Sequence, residues 1–536
     1  MTTPITPTVL AVTPYGVAYS PFTVLESELD VLKAGLDALQ TQAAMLVVKG
    51  SLVCNVKDYG AVGNGVTDDA ASIQAALSEG GTTYFPSGTY LIKSALTLRD
   101  GCFLQGNPLS STILLDSTFV AGGSPPYTVG AISNEHYSVS YDDATADSIE
   151  IHGIRFHHSG TGQIPATLWF GNIKHLVIDG CDFLTDAIVT GTYTHTQIYL
   201  YASYKHVWIT NNRMKHECGV LHGLCLLAQN FCGAAGATSV CEDIHVTGNY
   251  MSTNCGDEAF NACGENGVFR NATIAHNTFE HVAGGTAAYR FVSIFGSIST
   301  PTAYSMVENV AFDNNNFLVD DFTVDVIGLG RTTDTTPMRN ISVDDNMILC
   351  AAATTGVTRV INKQSAIDNL SVNDNKIYNT GVTAIAVAIY NVGVVEDNII
   401  YGAFSQGITY PDRADGNKIT LTSAGIGVYD GTSVTNNTIL GAGQGVLCDV
   451  TANYSVKNNR IVLAAGTRYC IYGQSVASSA PALTIVGNTL ETIAGGQYAI
   501  LLAGAGVPRI ALNNWINGGG TYSSLATANA WTVADG

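Results

Sequence analysis

The residues best placed to do chemistry form a short acidic run, Gly256-Asp257-Glu258-Ala259-Phe260. His222 precedes it by about one repeat, and Tyr289 and Arg290 follow it by about one repeat. A carboxylate pair with a histidine and an arginine in reach could protonate a glycosidic oxygen and activate water. The bland alternative makes Asp257 a turn cap and Glu258 a solvated wall residue. Asp320, Asp321 and Asp325 form a second acidic group. It could supply the other carboxylate of a cleft, hold Ca²⁺, or be a solvated loop. Asp179, Asp182 and Asp186 form a third group with the same choice.

Sugar binding needs flat apolar faces and fixed polar groups. Trp169, Tyr199, Tyr201 and Tyr289 offer rings, and Lys174, Lys205 and Arg213 offer cations. Lys174-His175 and Lys205-His206 share one offset within successive repeats, so they should stack; a solvent-facing ladder is the competing reading. All twelve histidines lie between His136 and His281. No HExxH or CxxC spacing is present, so no metal site is expected and no cofactor is required.

These residues sit on a repeated element. A β-branched residue, two variable positions, Asn, one variable position and an apolar residue recur, as in Val343–Ile348, Val372–Ile377 and Val434–Ile439. The asparagines are 212, 249, 277, 315, 346, 375, 398, 417, 437, 459, 488 and 514, with Cys181 in the equivalent place earlier. The shortest intervals, about twenty residues, suit one coil of three short strands in a solenoid. An Asn at the bend tolerates unusual backbone angles and can bond to the Asn stacked above. Coils between 181 and 346 carry extra residues, hence loops, and function concentrates on loops held by a rigid scaffold. The site is therefore expected on the N-terminal half of a rod.

Ahead of the rod, Phe22, Leu25, Leu29, Leu32, Leu36, Leu39, Ala43 and Leu46 alternate at spacings of three and four, an a/d coiled-coil seam. The expected organisation is an extended anchor at 1–21, an oligomerisation helix at 22–48, a solenoid opening with a capping helix at 54–115, a body at 116–516 and a closing segment at 517–536. Residues 1–21 lack the basic and apolar regions of a secretion signal. The formal net charge of −20 argues against nucleic acid and anionic membranes as partners. The charged residues within 22–48 argue against membrane insertion. Six of the twelve cysteines fall between Cys218 and Cys263. They read as buried free thiols, or as a local disulfide staple; cytoplasmic folding favours the thiols.

The stretch Asp58-Tyr-Gly-Ala-Val-Gly-Asn-Gly-Val-Thr-Asp-Asp69, with Tyr84-Phe-Pro-Ser-Gly-Thr-Tyr90 and Leu104-Gln-Gly106, resembles the opening of the pectate-lyase-like β-helix superfamily. That group includes phage tailspike depolymerases, polygalacturonases and the catalytic modules of alginate epimerases. The resemblance implies an all-β, single-stranded right-handed parallel β-helix. Asp68 and Asp69 then read as structural groups at the start of a helix that plugs the solenoid. Glu258 stands where polygalacturonases have the second Asp of Gly-Asp-Asp. The rest of their catalytic set is not intact, and the Tyr-Gly-Phe-Asp-Pro-His segment of alginate epimerases is missing.

Anchor, heptad and β-helix together resemble a phage tailspike or related virion spike. The layout implies a homotrimer, attachment to a virion adaptor or baseplate protein through the N-terminus, and a bacterial surface polysaccharide as ligand. It also implies a place on the virion surface after assembly in the host cytoplasm. Three functions stay open: a depolymerase acting as hydrolase or lyase, a polysaccharide-binding adhesin, and a structural spike segment.

Overall fold

Alternating residues with an apolar member every second position form strands, and the bends between them recur once per coil. The computed structural model describes residues 53–119 and, between 130 and 534, the strands and the short bends that join them. Residues 1–52, 120–129, 138–146, 187–194, 217–222, 230–238, 256–257, 283–287, 296–304 and 321–322 are among those outside the described set. The heptad with Leu25, Leu29, Leu32, Leu36 and Leu39 therefore lies outside the described residues, as do His222, Asp257 and Asp321.

The chain winds as a right-handed parallel β-helix in which every coil contributes to three walls. The first wall holds the strands before each repeated Asn, such as Val240–Thr247, Val268–Ala275 and Met306–Asp313. The second holds the four-residue strands after it, such as Tyr250–Thr253, Asn316–Val319 and Lys376–Asn379. The third holds strands such as Phe260–Cys263, Ala288–Phe295 and Thr323–Leu329. In two coils the third wall runs straight into the next first wall, giving the long strands Ala166–Asp179 and His195–Thr210. All registers between coils are parallel, so each side chain stacks on its counterpart about 4.8 Å away.

The asparagines form an unbroken internal ladder. Asn398 Nδ2 donates to Asn417 Oδ1 at 3.0 Å and to the Val372 carbonyl at 2.8 Å, while Asn417 Oδ1 also accepts the Asn398 backbone N–H at 3.0 Å. The same pattern joins Asn212 to Asn249 and continues through to Asn488 and Asn514. Cys181 takes the predicted place, its N–H donating to Asn212 Oδ1 at 2.9 Å. One detail differs from expectation. The left-handed backbone conformation falls on the residue before the Asn, as at Asn211, Asn314, Asp345, Asp374 and Asn436. The Asn itself is buried, because its amide satisfies backbone groups that the bend leaves open.

At the N-terminal end the helix Ala70–Ser78 packs Ile73, Ala76 and Leu77 into the core. Asp68 Oδ1 accepts from the N–H groups of Ala70 (3.1 Å) and Lys93 (3.2 Å). Asp69 accepts from Val62 and Gly63 at 2.7 and 3.0 Å. Both carboxylates therefore tie loop to helix, which is the structural role expected of them. Among the described residues Cys54, Cys102, Cys181, Cys225, Cys241, Cys255, Cys350, Cys448 and Cys470 are buried thiols outside any disulfide. Burial pushes the thiols of Cys181 and Cys350 up to about 12, so neither is a ready nucleophile.

Candidate functional site: a crease along the third wall

The third wall breaks the simple alternation of inward and outward side chains. Two successive residues enter the core in each coil: Ala259 and Phe260, Phe291 and Val292, Val326 and Ile327, Val360 and Ile361. The residues flanking each pair, Glu258 and Asn261, Arg290 and Ser293, Asp325 and Gly328, lie outside that apolar cluster; their polar side chains are nonetheless buried and meet across a crease. One rim carries Arg290, Asp325 and Arg359 in direct register, and Glu258 at the matching place one coil earlier. The other rim carries Ser133, Trp169, Tyr199, Leu227, Asn261, Ser293, Gly328 and Asn362 in unbroken register.

Polar contacts bridge the rims. Ser293 Oγ donates to Glu258 Oε1 at 3.1 Å. Asn362 Nδ2 and Gln364 Nε2 donate to Asp325 Oδ2 at 2.7 and 3.3 Å. Arg290 Nη2 donates to Gln364 Oε1, and its Nε lies 4.0 Å from Asp325 Oδ2. The glycine at 328 is required here: a Cβ would stand 2.7 Å from Arg290 Cδ. Arg290 and Asp325 are each 1% exposed and Glu258 is 8% exposed. Burial raises the Asp325 carboxyl above its ordinary value, against the pull of Asn362, Arg290 and Arg359. The Asp325 carboxyl stands two coils from that of Glu258, with Arg290 on the coil between them.

The N-terminal end of the crease is aromatic. Trp169 packs against Tyr199 with centroids 4.6 Å apart and against Tyr201 at 5.8 Å, while Tyr137 lies 6.4 Å from Trp169. Four buried polar atoms on this one rim have no hydrogen-bond partner among the described residues: Ser133 Oγ, Trp169 Nε1, Asn261 Oδ1 and Asn362 Oδ1. Buried polar atoms are normally satisfied, so a row of open ones marks a place for water or ligand hydroxyls.

The walls separate the other predicted residues. Trp169, Tyr199, Tyr201, Glu258, Arg290 and Asp325 share the crease, and Tyr289 belongs to the same strand. Lys174 and Lys205 lie on the first wall, stacked as expected by the register of their neighbours. Lys205 is not a free cation for an acidic sugar, because its Nζ lies 3.5 Å from Glu242 Oε1. Arg213 lies on the second wall and pairs with Asp182 at 3.2 Å, which Arg155 holds from the other side at 2.7 Å. Asp186 faces His157, and Asp179 accepts from Thr210 and Asn211. These three aspartates do not converge. Asp320 is exposed at the end of a second-wall strand, apart from buried Asp325.

Sequence reasoning missed Asn261, Ser293, Arg359, Asn362 and Gln364. The signal was available: rim residues stand three apart in every coil, as in 258 and 261, 290 and 293, 325 and 328, 359 and 362. It also missed that histidines divide between an inner and an outer set. His158 Nδ1 lies 3.2 Å from His195 Nε2, His195 Nδ1 lies 2.7 Å from His216 Nε2, and His216 Nδ1 lies 3.0 Å from Cys255 Sγ, all buried. This chain is linear rather than convergent, and no group of three metal-ligating side chains occurs among the described residues.

By fold the chain is a right-handed parallel β-helix. Residues 53–289 match the family described as rhamnogalacturonase A/epimerase, pectate lyase-like. Mannuronan C5-epimerase AlgE4 of Azotobacter vinelandii is 44% identical over 72 residues, 11% of this chain and 13% of that protein. Plasmin and fibronectin-binding protein A of Streptococcus pneumoniae is 46% identical over 66 residues, 11% of this chain and 9% of that protein. The matches thus span only a small part of these curated relatives. Among solved structures, pre-mature gene product 12 of bacteriophage phi29 aligns with a TM-score of 0.47 at 13% identity, covering 91% of this chain and 68% of that one.

Proposed function

We propose that this chain is a virion spike that binds capsular polysaccharide or O-antigen along the third-wall crease and cuts it by hydrolysis. The observation that carries the reading is the coincidence, on one wall, of ring faces, a row of open buried polar atoms and a buried carboxyl pair. Asp325, protonated, gives its proton to the glycosidic oxygen as the bond to the leaving sugar breaks. Glu258 takes a proton from the water whose oxygen bonds to the anomeric carbon. Two coil steps put the two backbones roughly 10 Å apart, which suits the wider carboxyl spacing of inverting hydrolysis. Arg290, between them, keeps either carboxylate from standing uncompensated. The names of the matched proteins, a rhamnogalacturonase family and a mannuronan epimerase, support a polysaccharide as the ligand class. In the spike, residues 22–48 join three copies and residues 1–21 attach them to an adaptor or baseplate protein.

Adhesion without cleavage is the second reading. It is favoured by one feature, that Asp325 Oδ2 is already held by Asn362 and Gln364. The test is size-exclusion chromatography of polymannuronate, polygalacturonate and O-antigen polysaccharide after incubation with wild type, Glu258→Gln and Asp325→Asn. Affinity electrophoresis in the same polymers reports binding. Cleavage by wild type, with Glu258→Gln slowed at least about 100-fold yet still binding, supports the enzyme. Binding by all three proteins with no shortening of any polymer points to the adhesin. No binding at all sinks both readings.

A further inference from the structure

The crease does not end at the carboxyl pair. Its rims continue in register, Arg359 to Val387, Gln406, Ile426 and Gln444 on one side and Asn362 to Tyr390, Thr409, Tyr429 and Leu447 on the other. Thr409 Oγ1 donates across it to Gln406 Oε1 at 2.8 Å. Gln444 Oε1 is a further buried rim atom without a partner among the described residues. At the foot of the crease Gly407, Gly427 and Gly445 occupy the inward position, and a Cβ at each would stand 3.0, 2.5 and 2.4 Å from an isoleucine methyl of the second wall. The wall is thus drawn inward there as closely as the backbone allows.

A second aromatic group lines this stretch. Tyr410 stands between Tyr390 and Tyr429, with centroids 5.8 and 5.3 Å away and both pairs edge to face at 83°. Tyr410 is 41% exposed, and the Arg359 guanidinium covers Tyr390 at 4.2 Å. From Trp169 to Tyr390 is seven register steps, roughly 34 Å at about 4.8 Å per coil. Between 387 and 447 the rims hold no carboxylate and no basic group. Asp430, beside Tyr429, is held by the Tyr454 hydroxyl, so this stretch can stack and hydrogen-bond a sugar ring but offers no carboxyl pair to cleave it.

We propose that the crease from 387 to 447 is a second, non-cutting glycan subsite, with Tyr410 at the centre of its stacking platform. It holds the far end of the same linear polymer whose reacting bond lies at Glu258. The proposal rests on the third-wall reading above and adds that productive binding requires a chain long enough to span both ends.

The test compares wild type, Tyr410→Ala and Tyr410→Phe as full chains against polymannuronate, polygalacturonate and O-antigen polysaccharide, each as long polymer and as a short acid-hydrolysed fraction. Tyr410→Ala is expected to weaken binding of the long polymer by about tenfold. It should leave binding of the short fraction unchanged, and Tyr410→Phe should behave as wild type. Unchanged binding of the long polymer by Tyr410→Ala, or equal loss on both lengths, overturns the second subsite. If wild type binds none of the polymers, the third-wall reading falls and takes this one with it. If wild type binds and Glu258→Gln stops cleavage while Tyr410→Ala changes nothing, only the second subsite is lost.

Discussion

Two walls of the rod carry the same pattern and put it to opposite use. On the first wall Lys205, Glu242, Arg270, Glu308, Arg339 and Asp368 stack in direct register, alternating in sign through six coils. Arg270 meets Glu242 at 2.6 Å and Arg339 meets Glu308 at 2.6 Å, with the arginine side chains 39% and 51% exposed. On the third wall Glu258, Arg290, Asp325 and Arg359 also alternate, yet the Arg290 and Asp325 side chains are 2% and 1% exposed. Exposed pairs are solvated and screened by water, which stabilises either charge alone, and are each worth little. Buried ones lack that solvation, so removing one partner leaves an uncompensated charge. Burial, rather than charge pattern, separates a solvated ladder from a site able to shift a carboxyl and order a ligand.

Histidines show the same division. His152, His175, His206 and His245 lie on the outer first wall, where Trp208 stacks with His206 and His245 and the carboxylates of Glu150, Asp179 and Asp243 are at hand. His158, His195 and His216 form the inner chain. Burial, reinforced by His158 and His216, holds His195 well below the ordinary imidazole value of 6.5.

The contrast can be broken by substitution. The largest effect is expected from Arg290→Met, which leaves the buried Glu258 carboxylate without a counter-charge; it should lower stability by about 3–5 kcal/mol in denaturant titration. Adding Glu258→Leu should recover most of that loss, and failure to recover would mean the pair is not coupled. Next comes pH. Because His195 is held neutral when folded, its contribution is complete above the unfolded value of 6.5 and is lost as pH falls below it. The melting temperature of wild type should therefore drop between about pH 7.5 and pH 5, and His195→Gln should flatten that drop. The smallest effect is expected at the exposed ladder: Arg270→Met should cost less than about 1 kcal/mol, with the cost shrinking further in salt. A loss there as large as that of Arg290→Met would erase the distinction between the walls.

The solenoid was legible because the amide ladder demands one residue type at one place in each coil, and only a repeated Asn satisfies it. Counting coils from that Asn also places Glu258 and Arg290 one coil apart, and Asp325 among an acidic group two coils beyond Glu258. The residues opposite them are not legible in the same way, because that rim changes from Asn261 to Ser293, Gly328 and Asn362, a column defined by register and not by residue type. The same count placed Lys174 opposite Lys205 correctly but grouped them with Trp169. Spacing along one coil does not say which wall turns a side chain toward which solvent.

Hydroxyl-radical footprinting with and without a bound polymer, read by mass spectrometry at individual residues, tests the central claim most directly. If the third-wall crease holds the glycan, Trp169, Tyr199 and Tyr201 become protected while Trp208 on the first wall reacts as before. Protection of Trp208 with no change at the crease residues would place the ligand on the charged first wall and contradict the account.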